Sequence, residues 1–162
     1  MSNGITAAQL QDEFPLDNGL SYLNHAAVAP WPKRASDAVV RFAVENSRIG
    51  ASRYPRWLSV EDQLRHNLAQ MINAPAPTDI ALCKNTSEAL SMVAAGIDWQ
   101  EGDEVVITSQ EFPSNRIVWE ALRDRGVTLR VADIDRADAT PEGAIEDALN
   151  ERTRLVSVSS VQ

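Results

Sequence analysis

The chain has one cysteine, Cys83, so no internal disulfide can form and stability must come from packing. A lone cysteine fits a reducing compartment and reads first as a small buried apolar residue. Basic charge is scarce: 15 Lys plus Arg stand against 23 Asp plus Glu, for a formal net charge of -8. No broad basic surface is left to meet a phosphate backbone, which sets nucleic acid aside as a partner. Lysine is scarcer still, with only Lys33 and Lys84. Long apolar runs are also missing. None approaches the roughly 20 residues that span a bilayer, and no basic stretch leads into an apolar one near the N-terminus. These absences point to a soluble cytoplasmic protein with no membrane partner. What is present, 162 residues at 44% hydrophobic composition, suffices for one ordinary domain with a sizeable core, whereas two full domains would be a squeeze.

Residues 1–78 read as an N-terminal arm of helices and loops, and residues 79–162 as an α/β domain. Four apolar runs rich in β-branched residues mark the second part: Ile80 to Cys83, Glu104 to Thr108, Val127 to Ala132 and Leu155 to Ser159. Helix-period segments separate them, giving βαβαβαβ. Runs that are apolar throughout suit strands buried on both faces, as in a parallel sheet covered by helices. Thr86 is the expected N-cap of a helix carrying Ala89, Leu90, Val93, Ala94 and Ile97. Pro113 opens another that Gly126 closes, with Ile117, Ala121 and Leu122 expected on its inner face. Thr140 and Pro141 start a third, with Ile145, Ala148 and Leu149 facing inward. In the arm, Pro32 begins a helix to about Arg48, and Ser59 with Asp62 begins one to about Asn73.

Ligands of open parallel sheets bind beyond the carboxyl ends of the strands. Lys84-Asn85-Thr86-Ser87-Glu88 joins the first run to a helix through small hydroxyl residues, a candidate phosphate seat of free backbone N–H groups and two hydroxyls; the plainer alternative is a simple helix cap. No Walker-type loop occurs, which sets nucleoside triphosphates aside. After the second run, Phe112 is fixed by Pro113 at a helix start and can present a flat face to a flat ligand, or else serve as ordinary core. The four tryptophans and the segment from Arg48 to Arg56 read as packing and as a solvated or interface stretch; Arg53 and Arg56 are weaker candidates for a substrate carboxylate or a partner subunit.

Tyr22-Leu23-Asn24-His25-Ala26-Ala27 with Pro30, Asn85-Thr86-Ser87-Glu88-Ala89, Gly102-Asp103-Glu104-Val105-Val106 leading to Glu111-Phe112-Pro113-Ser114-Asn115, and Thr153-Arg154-Leu155-Val156 before Ser159-Ser160-Val161-Gln162 follow one another in an order and spacing that resembles the class V aminotransferase and cysteine desulfurase family. The resemblance implies the N-terminal part of the large domain of fold-type I, aspartate aminotransferase-like, pyridoxal-phosphate (PLP) transferases, a homodimer when complete, acting on an amino acid or related amine. It implies that Thr86 and Ser87 bind the cofactor phosphate, that the Phe112 ring lies over the cofactor pyridine, and that Gln162 approaches the 3-hydroxyl side. Asn24, His25 and Ala27 match a segment lining the substrate side, and Asn115 matches a recurrent asparagine that on plainer grounds satisfies the first helical turn. Cysteine desulfurases usually carry a titratable histidine where Phe112 stands, which shifts the expectation toward transaminase, kynureninase-like or epimerase-like members. Cys83 does not match the desulfurases' persulfide cysteine.

The family's Schiff-base lysine and pyridine-nitrogen aspartate belong to later strands, and neither Lys33 nor Lys84 matches the lysine. The expectation is therefore two-fold: a parent enzyme, and a chain that alone turns over no substrate. The alternatives are a non-catalytic binding or dimerisation module keeping the phosphate seat, a cysteine desulfurase or lyase within the family, and a flavodoxin-like nucleotide-binding domain. The family's strand order, 3-2-4-5-6-7-1, implies that Glu104 to Thr108 sits centrally between the next two strands while Ile80 to Cys83 pairs with none of them. The unpaired edges that follow favour poor solubility, swapping or rearrangement.

Overall fold

The computed structural model describes residues 6–25, 28–136 and 138–161. The chain divides into two compact units, Met1–Asp79 and Ile80–Gln162.

The first unit is helical. Helix α1 (Ala7–Glu13) starts in a capping box, with Thr6 Oγ1 accepting from Gln9 N at 3.2 Å and Gln9 Oε1 accepting from Thr6 N at 2.8 Å. Helix α2 (Lys33–Ile49) follows Pro32 as expected. Helix α3 (Tyr54–Met71) begins five residues ahead of the expected Ser59. Pro55 lies in its first turn, where a missing N–H is no loss, and Ser59 Oγ donates back to Pro55 O at 3.0 Å instead of capping. An edge contact of Trp57 with Phe42, at a centroid distance of 5.1 Å, joins the two long helices, and Trp57 Nε1 donates to Glu45 Oε1 at 3.1 Å; within α3, Trp57 also meets Tyr54 at 5.7 Å. Little of this unit is buried: among its described residues, Ala69 is the one buried apolar side chain, and Val39, Val40, Phe42, Leu58 and Val60 stay exposed.

The second unit is built on a three-stranded parallel sheet in the order β2-β1-β3, with β1 at Glu104–Thr108, β2 at Thr128–Ala132 and β3 at Thr153–Val156. Val105, Val106 and Ile107 of β1 are wholly buried. Side chains alternate across the sheet. Val105 and Ile107 accordingly meet Ala94 of α4 (Thr86–Gly96), Trp119 of α5 (Ser114–Glu120) and Leu122, while Val106 meets Ala148 and Ile145 of α6 (Pro141–Ala148) on the other face. Helices cover both faces, the architecture that the continuous apolar run of β1 requires. At the amino end of β1, the buried Glu104 carboxylate accepts from Asn150 Nδ2 at 2.7 Å and lies 3.3 Å from both Arg130 Nε and Arg152 Nε. One acid thus ties β1 to β2 and to the turn before β3.

The central place of β1 agrees with the expected order. Ile80 to Cys83, in contrast, forms no strand, although Ile80 itself is buried. The last strand also stops at Val156, short of Ser159. The β1–β3 ladder ends at the pair Val106 and Val156, although Ser157 N still donates to Val106 O at 2.9 Å. Cys83 is half-buried, with Sγ 4.0 Å from Met92 Sδ.

Helix α4 is capped by Asn85, not Thr86: Asn85 Oδ1 accepts from Glu88 N at 2.9 Å, and Thr86 is the first helical residue. Thr140 does cap α6, its Oγ1 accepting from Gly143 N at 3.1 Å. Helix α5 turns its Asn115, Trp119 and Leu122 stripe inward; Ile117 is 61% exposed and Ala121 is exposed as well. A pattern that counts only apolar residues misses a stripe anchored by a buried asparagine. Val93 and Leu149 are likewise exposed, at 49% and 43%. After α5 the chain tightens into a 3-10 turn over Ala121–Arg125 and stops at Gly126, whose φ of 79° and close approach to Glu101 leave no room for a Cβ.

Truncating Ile107 to Ala should lower unfolding free energy by about 3 kcal/mol in a urea titration, whereas Ile117→Ala should change it by less than about 0.5 kcal/mol. Thermal melting should likewise separate Asn85→Ala, which costs about 1 kcal/mol through the lost cap, from Thr86→Ala, which leaves stability within about 0.5 kcal/mol.

Candidate functional site

The carboxyl ends of β1 and β2 are stitched together. Ser109 N donates to Ala132 O at 2.8 Å, Ile134 N donates to Ser109 Oγ at 3.3 Å, and Gln110 Nε2 donates to Asp135 Oδ1 at 2.5 Å. The next residue, Glu111, is the centre of the loop. Its Oε1 accepts from Thr108 Oγ1 at 3.1 Å and Ser159 N at 2.8 Å, and its Oε2 accepts from Asn115 Nδ2 and Ser159 Oγ, each at 2.8 Å. Asn115, buried, extends the network: its Oδ1 accepts from Trp119 Nε1 at 3.1 Å and Ser157 Oγ at 2.5 Å, and its Nδ2 also reaches Ser157 O at 3.2 Å. It therefore does not cap the helix, as the plainer expectation had it, but bridges α5 to the chain after β3. Glu111 was not among the residues singled out from sequence. The available signal was a lone carboxylate in the turn between a buried strand and a proline-started helix.

Phe112 follows, and its ring is 73% exposed. The ordinary-core alternative is ruled out. An aromatic side chain at a strand's carboxyl end that buries so little of itself is available to a flat ligand.

At the N-terminus of α4, the Asn85 side chain takes the N–H of Glu88, and Glu88 Oε2 takes the N–H of Lys84 at 2.5 Å. The N–H groups of Thr86 and Ser87 have no acceptor among the described residues, and both side chains are exposed. Two free donors at the positive end of a helix, beside two hydroxyls, have the chemistry to receive an anion. Helix α4 packs against α5 in the same unit, so donors and ring belong to one folded body.

Asn24 and His25 lie in the first unit, both exposed. The His25 ring meets the Tyr22 ring edge-on at 5.3 Å, with Nε2 3.1 Å from Tyr22 O. Ala27 and Gln162 fall outside the described residues. Lys33 belongs to the first unit, where Nζ donates to Asp37 Oδ2 at 2.6 Å; that bond holds its pKa above the usual lysine value and keeps the amine a protonated, poor nucleophile. Lys84 is exposed beside the start of α4. Among the described residues no group of three potential ligands could hold a metal, and no helix is long and apolar enough to cross a membrane.

The donors and ring present fit a ligand that joins an anionic phosphate to a flat heteroaromatic ring. Comparison with known proteins agrees with this chemistry. Residues 21–162 match the family described as aminotransferase class V. A probable cysteine desulfurase of Methanothermobacter thermautotrophicus is 37% identical over 153 residues, covering 92% of this chain and 38% of that protein. The cysteine desulfurase of Dickeya dadantii is 32% identical over 150 residues, covering 88% of this chain and 36% of that protein. Among solved structures, the cysteine desulfurase CsdA of Escherichia coli superposes with a TM-score of 0.76 at 25% identity, covering 95% of this chain and 41% of that one. The chain thus spans about two fifths of the length of these relatives. With a family match that runs from Ser21 through the start of α4, the Phe112 turn and β3, the chain belongs to the class V aminotransferase family, whose cofactor is pyridoxal phosphate.

Proposed function

We propose that this chain supplies the phosphate seat and the ring platform of a pyridoxal-phosphate enzyme that acts on an amino acid, with cleavage of a carbon–sulfur bond as its reaction type. The observation that carries the proposal is the pairing, in one unit, of unpartnered Thr86 and Ser87 N–H groups with the exposed Phe112 ring. The reaction type rests on relatives named as cysteine desulfurases at 37% and 32% identity.

When bound, pyridoxal phosphate supplies an electron sink for the substrate. The chain's own contribution is to bind and orient. Thr86 and Ser87 neutralise the phosphate with fixed N–H dipoles and hydroxyls, which need no reorganisation when the ligand arrives. Phe112 holds the ring flat from one face. It cannot move a proton, so any proton handled above the ring must be carried by another group. That property is the one observation in favour of a second reading, amino-group transfer or epimerisation. His25 and Asn24 are candidates for the substrate side, with neutral imidazole as a potential acid or base once a partner is placed. Gln162 is the candidate for the 3-hydroxyl side and Ala27 for the substrate wall. A homodimeric parent protein working in the cytoplasm completes the proposal.

Because Lys33 is held protonated and neither lysine matches the family position, the chain alone should bind pyridoxal phosphate weakly, lose it on dialysis, and catalyse neither transamination nor desulfuration. Borohydride reduction followed by peptide mass mapping checks this, and stoichiometric fixation on Lys84 would count against it. Phe112→Ala should weaken binding about fivefold, the equivalent of one lost stacking contact. Induced circular dichroism in the cofactor band reads the change, and an unaltered dissociation constant would remove Phe112 from the site.

A further inference from the structure

We infer that Glu111 is a positioning residue, whose ionised carboxylate sets the Phe112 ring and the segment after β3 as one rigid rim of the cofactor seat. The inference rests on the pyridoxal-phosphate reading above and assigns the task of orientation to a residue that touches no cofactor atom.

Phe112, at 73% exposure, makes too little contact to fix its own orientation. Its direction is set by its two neighbours. On one side Pro113, with φ at -49°, removes one backbone freedom. On the other stands Glu111, and there the constraint is unusually dense. A carboxylate offers about four lone-pair positions. All four are met by donors: Thr108 Oγ1 and Ser159 N on Oε1, Asn115 Nδ2 and Ser159 Oγ on Oε2. These donors come from the end of β1, the first turn of α5, and the chain 48 residues further on. Ser159 stands three residues before Gln162, the candidate for the 3-hydroxyl side.

The arrangement suits an ionised carboxylate and excludes another role. Ser159 N and Asn115 Nδ2 can only donate, one to each oxygen, and charge-assisted bonds of this kind are about twice as strong as neutral ones. With its oxygens taken up by structure, Glu111 is not placed to exchange protons with a substrate. Glutamine is a poor replacement, because whichever oxygen becomes an amide nitrogen sets that NH2 against one of these two obligate donors. Asn115 carries the constraint inward, through its bonds to Trp119, 2% exposed, and to Ser157.

The test uses the full chain with pyridoxal phosphate as the probe. Induced circular dichroism in the cofactor band gives the dissociation constant and the band amplitude at saturation, and hydrogen exchange reports the Ser159 amide. Glu111→Gln should raise the dissociation constant about tenfold, at least halve the saturated amplitude, and speed Ser159 exchange. Leu155→Ala, a core truncation on β3, should lower the melting temperature and leave the saturated amplitude as in the wild type, which separates orientation from stability. Ser159→Ala removes one donor while keeping the carboxylate; a smaller loss of about threefold, with native melting, is expected, and this variant decides the matter where Glu111→Gln does not fold. A wild-type band in Glu111→Gln, or in Ser159→Ala where the first variant is unfolded, overturns the inference and leaves the cofactor reading standing if Phe112→Ala still weakens binding. A wild-type chain that shows no induced band overturns both.

Discussion

The complete burial of β1 is the constraint on which the second unit depends. Val105, Val106 and Ile107 expose nothing, so both faces of the strand must be covered and both of its edges paired. The two parallel neighbours satisfy the backbone, and α4 with α5 on one face and α6 on the other satisfy the side chains. Each parallel neighbour in turn needs a crossover, and those crossovers place the helix starts at the end of the sheet where ligands bind.

Two glutamates bracket this arrangement and do different work. Glu104, buried at the amino end of β1, holds the register by engaging Arg130 of β2 and Asn150 and Arg152 ahead of β3. Arg152 remains largely in water and Arg130 partly so, and the cluster is best understood as a pin between strands. Glu111, past the carboxyl end, gathers the end of β1, the first turn of α5 and the segment after β3. Stability thus concentrates at one end of the strand and geometry at the other. Phe112 can stay exposed because its neighbour is anchored.

The first unit shows what the same logic looks like without a sheet. Helices α2 and α3 meet through Trp57, Phe42 and Glu45, yet among the described residues only Ala69 is buried. The helices form because propensity, the capping box at Thr6 and the prolines at their starts suffice locally. The exposed apolar side chains of Val39, Val40 and Val60 make that local sufficiency visible.

Sequence by itself determined whatever is encoded over a few neighbouring residues or a recognisable spacing. The run Glu104 to Thr108 is apolar at successive positions, and it is the central strand; Thr140 with Pro141 marks a helix start, and it is one; the four motifs place the chain in its family. Tertiary structure alone decided what depends on a distant partner. Ile80 to Cys83 has a strand's composition, yet it is not a strand, because pairing depends on residues distant in sequence. Ile117 has the right residue type for the core, yet α5 turns Asn115 inward because Glu111 and Ser157 are there to receive it. The cap of α4 passed to Asn85, whose carbonyl oxygen reaches the Glu88 amide, and so left Thr86 and Ser87 free. Glu111 was not singled out from the sequence, because a carboxylate's role is set by the donors that surround it, and its Ser159 donors come from 48 residues away.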